Sequence, residues 1–559
     1  MAITEETLSP HTADGGNTHI YTGLQAQSPN PYIFVTHSKK QRQCFAHISK
    51  CRNFAVEQTN NPHNMRKLFT LALLAIAATA NAQVERPKLV VGIVVDQMRW
   101  DYLYYYSDEY CDGGIKRIVN EGYSFEDTQL SHAPATTAIG HTSIYTGSVP
   151  ALHGIAGNYF YQDDRSVYCC SDSTVSSVGS TTSEGQMSPR RMLATTIGDE
   201  LRLATGFKSR VFGVALKDRA AILPAGHSAN AAYWWDTSAG RFVTSSYYMD
   251  ELPDYVKAFN EEYGQKPGFN IKESNVGVTT TFRMAEAVLR NEQLGKGETT
   301  DMLCVSISST DAIGHTFSTH SKEIHDVFMQ LDTDMAEFLN VLDSEIGSGN
   351  YLLFLSADHG ASHNYNYLHE HNIPSGAWEH EKAAEDLNAF LQAKFNTTET
   401  IVLGEDNYQF FLDDDAMERA GIDKREATDE AVGNLRKDPV YLYVIDSEKL
   451  AQAPVPTEIR ERLINGYFRG RSGEITVVTR PQVFSAENSA SYHGTTHGQP
   501  LPYDVHIPFV LMGWNVSHGS SLEPTKMVDI APTICSMLHI QAPDASIGHA
   551  REVKKRDKE

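Results

Sequence analysis

The sequence predicts an α/β fold with a mainly parallel central sheet flanked by helices. Leu89–Val95 is a continuous apolar, β-branched run, the pattern of a strand buried on both faces. Similar runs recur at 209–216, 302–307, 351–355 and 507–512. Helical patterns lie between them, and strands alternating with helices build parallel sheets.

The elements follow in chain order. After the first run the chain reaches Asp96, then a short helix over 115–120. The run 302–307 ends in Ser308-Ser309-Thr310-Asp311. Between 320 and 346, Ile324, Val327, Phe328, Leu331, Met335, Phe338 and Leu342 fall three and four apart, an amphipathic helix. The run 351–355 ends near Asp358, and a closing helix over 527–538 carries Pro532 in its first turns. The mixed, charged stretch 362–490 reads as an inserted cap within one catalytic domain spanning 83–559. Ligands of open α/β sheets gather beyond the carboxyl ends of the strands, where Asp96, Asp311 and Asp358 all fall.

The 559 residues are 41% hydrophobic with a formal net charge of −23. An acidic surface disfavours a nucleic-acid duplex as partner, because phosphate binding needs clustered Lys and Arg. Met65-Arg66-Lys67, the apolar stretch 68–78 and Ala80-Asn81-Ala82 form the three parts of a signal peptide over 65–82, cleaved after Ala82. The apolar run is shorter than a membrane span needs. The expectation is export to the periplasm or beyond, with no stable span after cleavage. Residues 1–64 then read as an extension before the true start at Met65, without periodicity and expected to be disordered. Of seven Cys, Cys44 and Cys51 fall in that extension. Cys304 and Cys535 lie in apolar stretches and read as buried thiols, and Cys111 is open to pairing with Cys169 or Cys170.

Asp311-x-x-x-His315 and Asp358-His359-Gly360 follow two of the strands, and His497-Gly498 precedes another. Asp and His donors suit zinc, and also manganese. Any one of these residues, taken singly, is better read as a helix cap or a hydrogen-bonded histidine. Three carboxylates and three histidines at the strand ends of one sheet instead suffice for two metal ions, which clamp the attacking and leaving oxygens of a phosphoryl displacement. His497 is preferred to His493 and His506 because it directly precedes the Gly498…Tyr503-Asp504 block. The block Pro134-Ala135-Thr136-Thr137-Ala138-Ile139-Gly140-His141-Thr142 offers a hydroxyl at a helix start, where an anion is also favoured. Lys217 and Arg219, spaced as on extended chain, would point the same way and grip one phosphoryl group. Asn158 is a further donor to it. The tyrosine run 102–106 reads as packing and surface aromatics.

Together these motifs resemble the alkaline phosphatase superfamily: Val94-Val95-Asp96-Gln97-Met98-Arg99, P-x-T-T-x-x-G-H, S-x-D-x-x-G-H, S-A-D-H-G, H-G…Y-D-x-H-I-P and the closing Asp529-Ile530-Ala531-Pro532-Thr533 stand in the expected order. Within it the sequence is most similar to the phosphate-irrepressible alkaline phosphatases, related to type I phosphodiesterases and nucleotide pyrophosphatases. The resemblance implies two Zn2+ ions. Asp96, Asp358 and His359 would hold the one beside Thr137, which is itself a ligand as nucleophile; Asp311, His315 and His497 would hold the other. It also implies that Asn158, Lys217 and Arg219 grip the phosphate. The sulfatase pattern C-x-P-x-R is absent at the nucleophile.

The expected activity is hydrolysis of small phosphate monoesters through a phosphothreonine intermediate. A phosphodiesterase or nucleotide pyrophosphatase is the alternative of the same class. An inactive phosphate- or metal-binding protein is the alternative of another class. Oligomeric state is not legible in the sequence.

Overall fold

The computed structural model describes residues 85–162 and 165–553. The expected extension (1–64) and signal peptide (65–82) lie outside the described residues. At the centre is a ten-stranded sheet. Six strands position the site: β1 (Leu89–Val95), β2 (Val211–Ala215), β3 (Ala231–Asp236), β4 (Asp301–Ile307), β5 (Tyr351–Ser356) and β6 (Phe509–Gly513). In space they run β6-β5-β1-β4-β2-β3. The five from β5 to β3 are parallel, and β6 returns antiparallel to β5. The central strands are buried throughout. That is why they read as unbroken apolar runs, each fully buried Val, Leu or Ile contributing ~1.5–3 kcal/mol.

The helices include α1 (Thr137–Thr146), α2 (Asp218–Ala225), α3 (Asn275–Asn291), α4 (Ser309–Phe317), α5 (Lys322–Glu345) and α6 (Ile530–Leu538). α5 buries Ile324, Val327, Phe328, Leu331, Met335, Phe338 and Leu342, the stripe its period predicts. The expected strand over 507–512 is instead two pieces, His506–Ile507 and β6, parted at Pro508, which lacks the N–H a ladder needs. Only the second joins the main sheet; the first pairs with Thr128–Gln129. The closing helix begins at Ile530, after a 3-10 turn over Met527–Asp529.

A second, four-stranded antiparallel sheet, of Val402–Asp406, Gln409–Leu412, Tyr441–Asp446 and Ile475–Thr479, has its own apolar cluster including Trp378, Leu391, Phe410 and Val477. The hairpin joining its first two strands turns at Asn407 and Tyr408, both at positive φ (56° and 63°). This is the conformation that a two-residue hairpin requires. Its tip reaches the site: a Cβ on Gly498 would run into the Tyr408 ring, and Asn407 donates to the Tyr159 carbonyl at 3.4 Å.

The cysteine expectation needs correction. Cys111 is exposed, with its thiol against the Asp332 carbonyl, whereas Cys169 and Cys170 are buried beside each other. All five described cysteines are free, and Cys304 and Cys535 are buried.

Candidate active site

Four neighbouring parallel strands end at one edge, and each hands over a charged side chain. Asp358 follows β5, Asp96 follows β1, Asp311 lies in the first turn of α4 after β4, and Lys217 precedes α2 after β2. All four are buried. Burial, with Asp311 and Asp358 alongside, pushes the Asp96 carboxyl well above the usual carboxylate range. Burial acts on Asp311 in the same direction, but His315 and Lys217 outweigh it and hold that carboxyl well below.

Three histidines face this edge in the same way. The Nδ1 atoms of His315, His359 and His497 lie 2.9, 3.0 and 2.6 Å from the backbone carbonyls of Thr495, Gly360 and Ala135. A carbonyl only accepts, so each Nδ1 carries the hydrogen and each Nε2 presents a lone pair. Those Nε2 atoms point at carboxylates: His315 at Asp311 (3.2 Å), His497 at Asp311 (3.6 Å), and His359 at Asp358 (3.4 Å) and Asp96 (3.7 Å). Locking one ring nitrogen on a carbonyl and aiming the other inward is how metal-ligating histidines are held. Burial keeps His359 and His497 below the ordinary histidine value, hence neutral; Asp311 raises His315 against its burial.

The residues fit divalent cations. Asp96 Oδ1, Asp358 Oδ2 and His359 Nε2 are buried without a hydrogen-bond partner, a costly arrangement unless a cation meets them. The Lys217 ammonium already supplies positive charge there, 2.6 Å from Asp96 Oδ2 and 2.5 Å from Asp311 Oδ2. Among the described residues two groups have donor atoms within 4.8 Å of one another, Asp311 with His315 and His497, and Asp96 with Asp311 and His359. The second differs from the expected set in taking Asp311 where Asp358 was expected; Asp358 borders it through His359. His493 is exposed, and His506 stacks on Trp100 at 4.7 Å, away from the cluster.

Thr137 is the first residue of α1, buried, after Thr136 in extended conformation. His497 and His141 tie this helix start to the cluster, and a further bond ties it to Asn158. His497 donates to Ala135, His141 Nδ1 lies 2.9 Å from the Thr137 carbonyl and 3.3 Å from Asp358 Oδ2, and the Ala138 N–H donates to Asn158 Oδ1 at 3.0 Å. The helix can approach so closely because residue 140 is glycine: any Cβ there would collide with the Asp358 backbone. With the Asn158 Oδ1 engaged, its amide group has donors to offer.

Lys217 and Arg219 hold different protein partners, and their charges act on each other. A helix begins at Asp218, so the spacing of extended chain does not apply. Lys217 turns to Asp96 and Asp311, while Arg219 Nη1 donates to the Tyr168 hydroxyl at 3.1 Å.

Three residues without an assigned role from sequence prove central. Gln97, at φ 65°, donates its backbone N–H to Asp358 Oδ1 (3.1 Å) and its side-chain amide to Asp311 Oδ1 (2.6 Å), joining both halves of the cluster. His141 follows Thr137 by four residues and so shares its helix face, a spacing that could have flagged it. Asp504 accepts from the Gly498 and Gln499 N–H groups at 3.0 and 2.8 Å, fixing the loop that carries His497.

A family model described as type I phosphodiesterase / nucleotide pyrophosphatase matches residues 90–500. Alkaline phosphatase PafA of Elizabethkingia meningoseptica is 41% identical over 539 residues, 86% of this chain and 98% of the relative. A Myroides odoratus protein named calcium-transporting ATPase is 43% identical over 527 residues, 85% of this chain and 96% of the relative. Among the described residues no helix is long and apolar enough to cross a membrane. The crystal structure of wild-type alkaline phosphatase PafA superposes with a TM-score of 0.80, covering 84% of this chain and 99% of that one at 41% identity. With its strand-end cluster, its parallel sheet and these matches, the chain belongs to the type I phosphodiesterase / nucleotide pyrophosphatase family of the alkaline phosphatase superfamily.

Proposed function

We propose that this alkaline phosphatase is exported to the periplasm or beyond and hydrolyses small phosphate monoesters by way of a phosphothreonine on Thr137. The observation that carries the reading is the convergence of three strand-end carboxylates and three inward-facing histidines beside the buried start of α1. Asp96, Asp311, His315, Asp358, His359 and His497 would hold two Zn2+ ions. When bound, such ions supply Lewis-acid charge to the attacking and leaving oxygens.

The chain's own groups do the rest. Thr137 presents its hydroxyl at a helix N-terminus, where backbone N–H groups favour the incoming anion. That oxygen attacks phosphorus, the P–O bond to the leaving alcohol breaks in line, and water then cleaves the phosphothreonine to free phosphate. Asn158 donates to a phosphoryl oxygen. Lys217 and Arg219 add positive charge suited to the second negative charge of a monoester. His141, on the Thr137 carbonyl and Asp358, keeps nucleophile and ligand in one frame.

The test compares kcat/KM for 4-nitrophenyl phosphate and its methyl diester, with ATP as a third substrate because the Myroides odoratus relative is named an ATPase. Monoester preference is expected; diester preference would make the enzyme a phosphodiesterase instead. Thr137→Ala and chelation should each abolish turnover. Activity surviving both would end the proposed chemistry, and a chain that binds phosphate without turnover would be a binding protein.

A further inference from the structure

We propose that Cys169 and Cys170 form a thiol–disulfide site whose redox state sets how tightly the pocket holds phosphate. The inference rests on the phosphate-binding roles proposed for Asn158 and Arg219. The two sulfurs are 3.9 Å apart at a turn, buried in an apolar cluster with Ile155, Phe160, Met192 and Ala221. Among the described cysteines no other joins the pair: Cys111 is exposed, and Cys304 and Cys535 belong to a different apolar cluster.

The position of the pair carries the argument. Asn158 directly precedes the strand Tyr159–Gln162, and Cys169 directly follows its antiparallel partner Arg165–Tyr168. The Cys169 N–H donates to the Asn158 carbonyl at 2.9 Å, closing the base of this ribbon. One residue before the pair, the Tyr168 hydroxyl accepts from Arg219 and donates to Asp218 Oδ1 at 2.6 Å. On the other side, the Cys170 carbonyl accepts from Ser188. Of the three phosphate-gripping residues, Asn158 is thus hydrogen-bonded to the turn that the two cysteines form, and Arg219 to the residue directly before it.

A disulfide requires sulfurs at ~2.05 Å, so bonding adjacent cysteines draws the sulfurs together and re-forms the turn. The step balances simply. Two thiols lose two protons and two electrons, one S–S bond forms, and a disulfide oxidant such as oxidised glutathione is reduced to two thiols. Burial pushes the Cys170 thiol well above its ordinary value, so exchange proceeds through local opening or as the chain folds. Oxidation moves the Cys169 N–H and the Tyr168 hydroxyl off Asn158 and Arg219 and weakens the grip on phosphate.

The experiment uses the zinc-loaded protein with C111S as parent, since exposed Cys111 would itself form mixed disulfides. Samples equilibrated with oxidised glutathione or with TCEP are unfolded in N-ethylmaleimide, digested and weighed, and the Ki of inorganic phosphate is measured on each. The expected oxidised peptide holds both cysteines unalkylated and is lighter by two hydrogens. The Ki rises about fivefold, returns with TCEP, and in C170S is the same under both treatments. Two alkylated cysteines after oxidation overturn the site. A disulfide that leaves the Ki unchanged, while N158A raises it, overturns the coupling. Should N158A itself leave the Ki unchanged, the phosphate-binding role of Asn158 fails and takes the coupling with it, while the mass alone decides the disulfide.

Discussion

The two halves of the donor cluster differ in how they meet solvent. Asp96, Asp358 and His359 have fully buried side chains under α1, held by Gln97, His141 and the glycine at 140. Across Asp311, His315 has a side chain 39% exposed, and His497 sits on a loop braced from behind by Asp504 and the Tyr408 ring of the hairpin of the second sheet. A closed half beside Thr137 and a half that opens to solvent at His315, with Asp311 and His497 only 4% and 7% exposed, match a displacement in which the nucleophile stays and the leaving alcohol departs. The closed half is built from strand ends; the open half joins Asp311 and His315 of α4 to His497 on a loop. They should therefore fail differently when damaged.

The largest effect should come from the closed half. Asp358→Asn removes a buried carboxylate that touches His141, His359 and the Gln97 N–H, with no route for solvent to compensate. A loss of kcat/KM on the order of 10³-fold is expected, with no rescue by added zinc. His315→Ala should cost roughly 10–100-fold, and free imidazole should restore part of it because the vacated space faces solvent. Equal, unrescuable losses in both variants would abolish the distinction between the halves.

That contrast also explains what was legible in the sequence. Strand ends are fixed by the apolar runs that precede them, so Asp96, Asp311 and Asp358 could be placed from the pattern of Leu89–Val95 and its counterparts. His497 could be ranked above His493 only by a neighbouring block, because nothing local tells which loop histidine turns inward. That choice depends on the Ala135 carbonyl, 362 residues away. The spacing of Lys217 and Arg219 could not give their geometry, because a helix starts between them, at Asp218, and the alternation of extended chain does not hold there. Gln97 was invisible, since its role comes from a left-handed backbone that aims one residue at two distant carboxylates.

Gln97 gives the next test, because it spans the boundary. Gln97→Ala keeps the backbone bond to Asp358 but removes the side-chain bond to Asp311 Oδ1. About a tenfold loss of metal affinity is expected, read by titrating activity against buffered zinc, with the maximal rate at saturating zinc little changed. A fallen rate at saturation would mean that Gln97 acts on the substrate instead.

The smallest effect tests the brace behind the open half. Asp406 stands in the hairpin of the second sheet one residue before Asn407, and burial, with Glu405 beside it, pushes its carboxyl up to about 7. The folded value exceeds the ordinary 3.8, so folding favours the neutral form. Its contribution is fully present below pH ~4 and is lost as pH rises through about 7. At the alkaline pH where the enzyme would work, the hairpin therefore carries a charge it is not built to hold. Asp406→Asn removes that burden. Wild-type thermal stability should fall more steeply than the variant's between pH 4 and 7, and the variant should be the more stable at pH 8. Every factor of ten in proton affinity that survives solvent screening is worth ~1.4 kcal/mol. Because Tyr408 backs Gly498, a firmer hairpin should hold the His497 loop more steadily and slow metal loss from the open half under graded chelation. A variant whose stability follows the wild-type pH slope would remove Asp406 from this account, and unchanged metal loss would leave the brace to Asp504 alone.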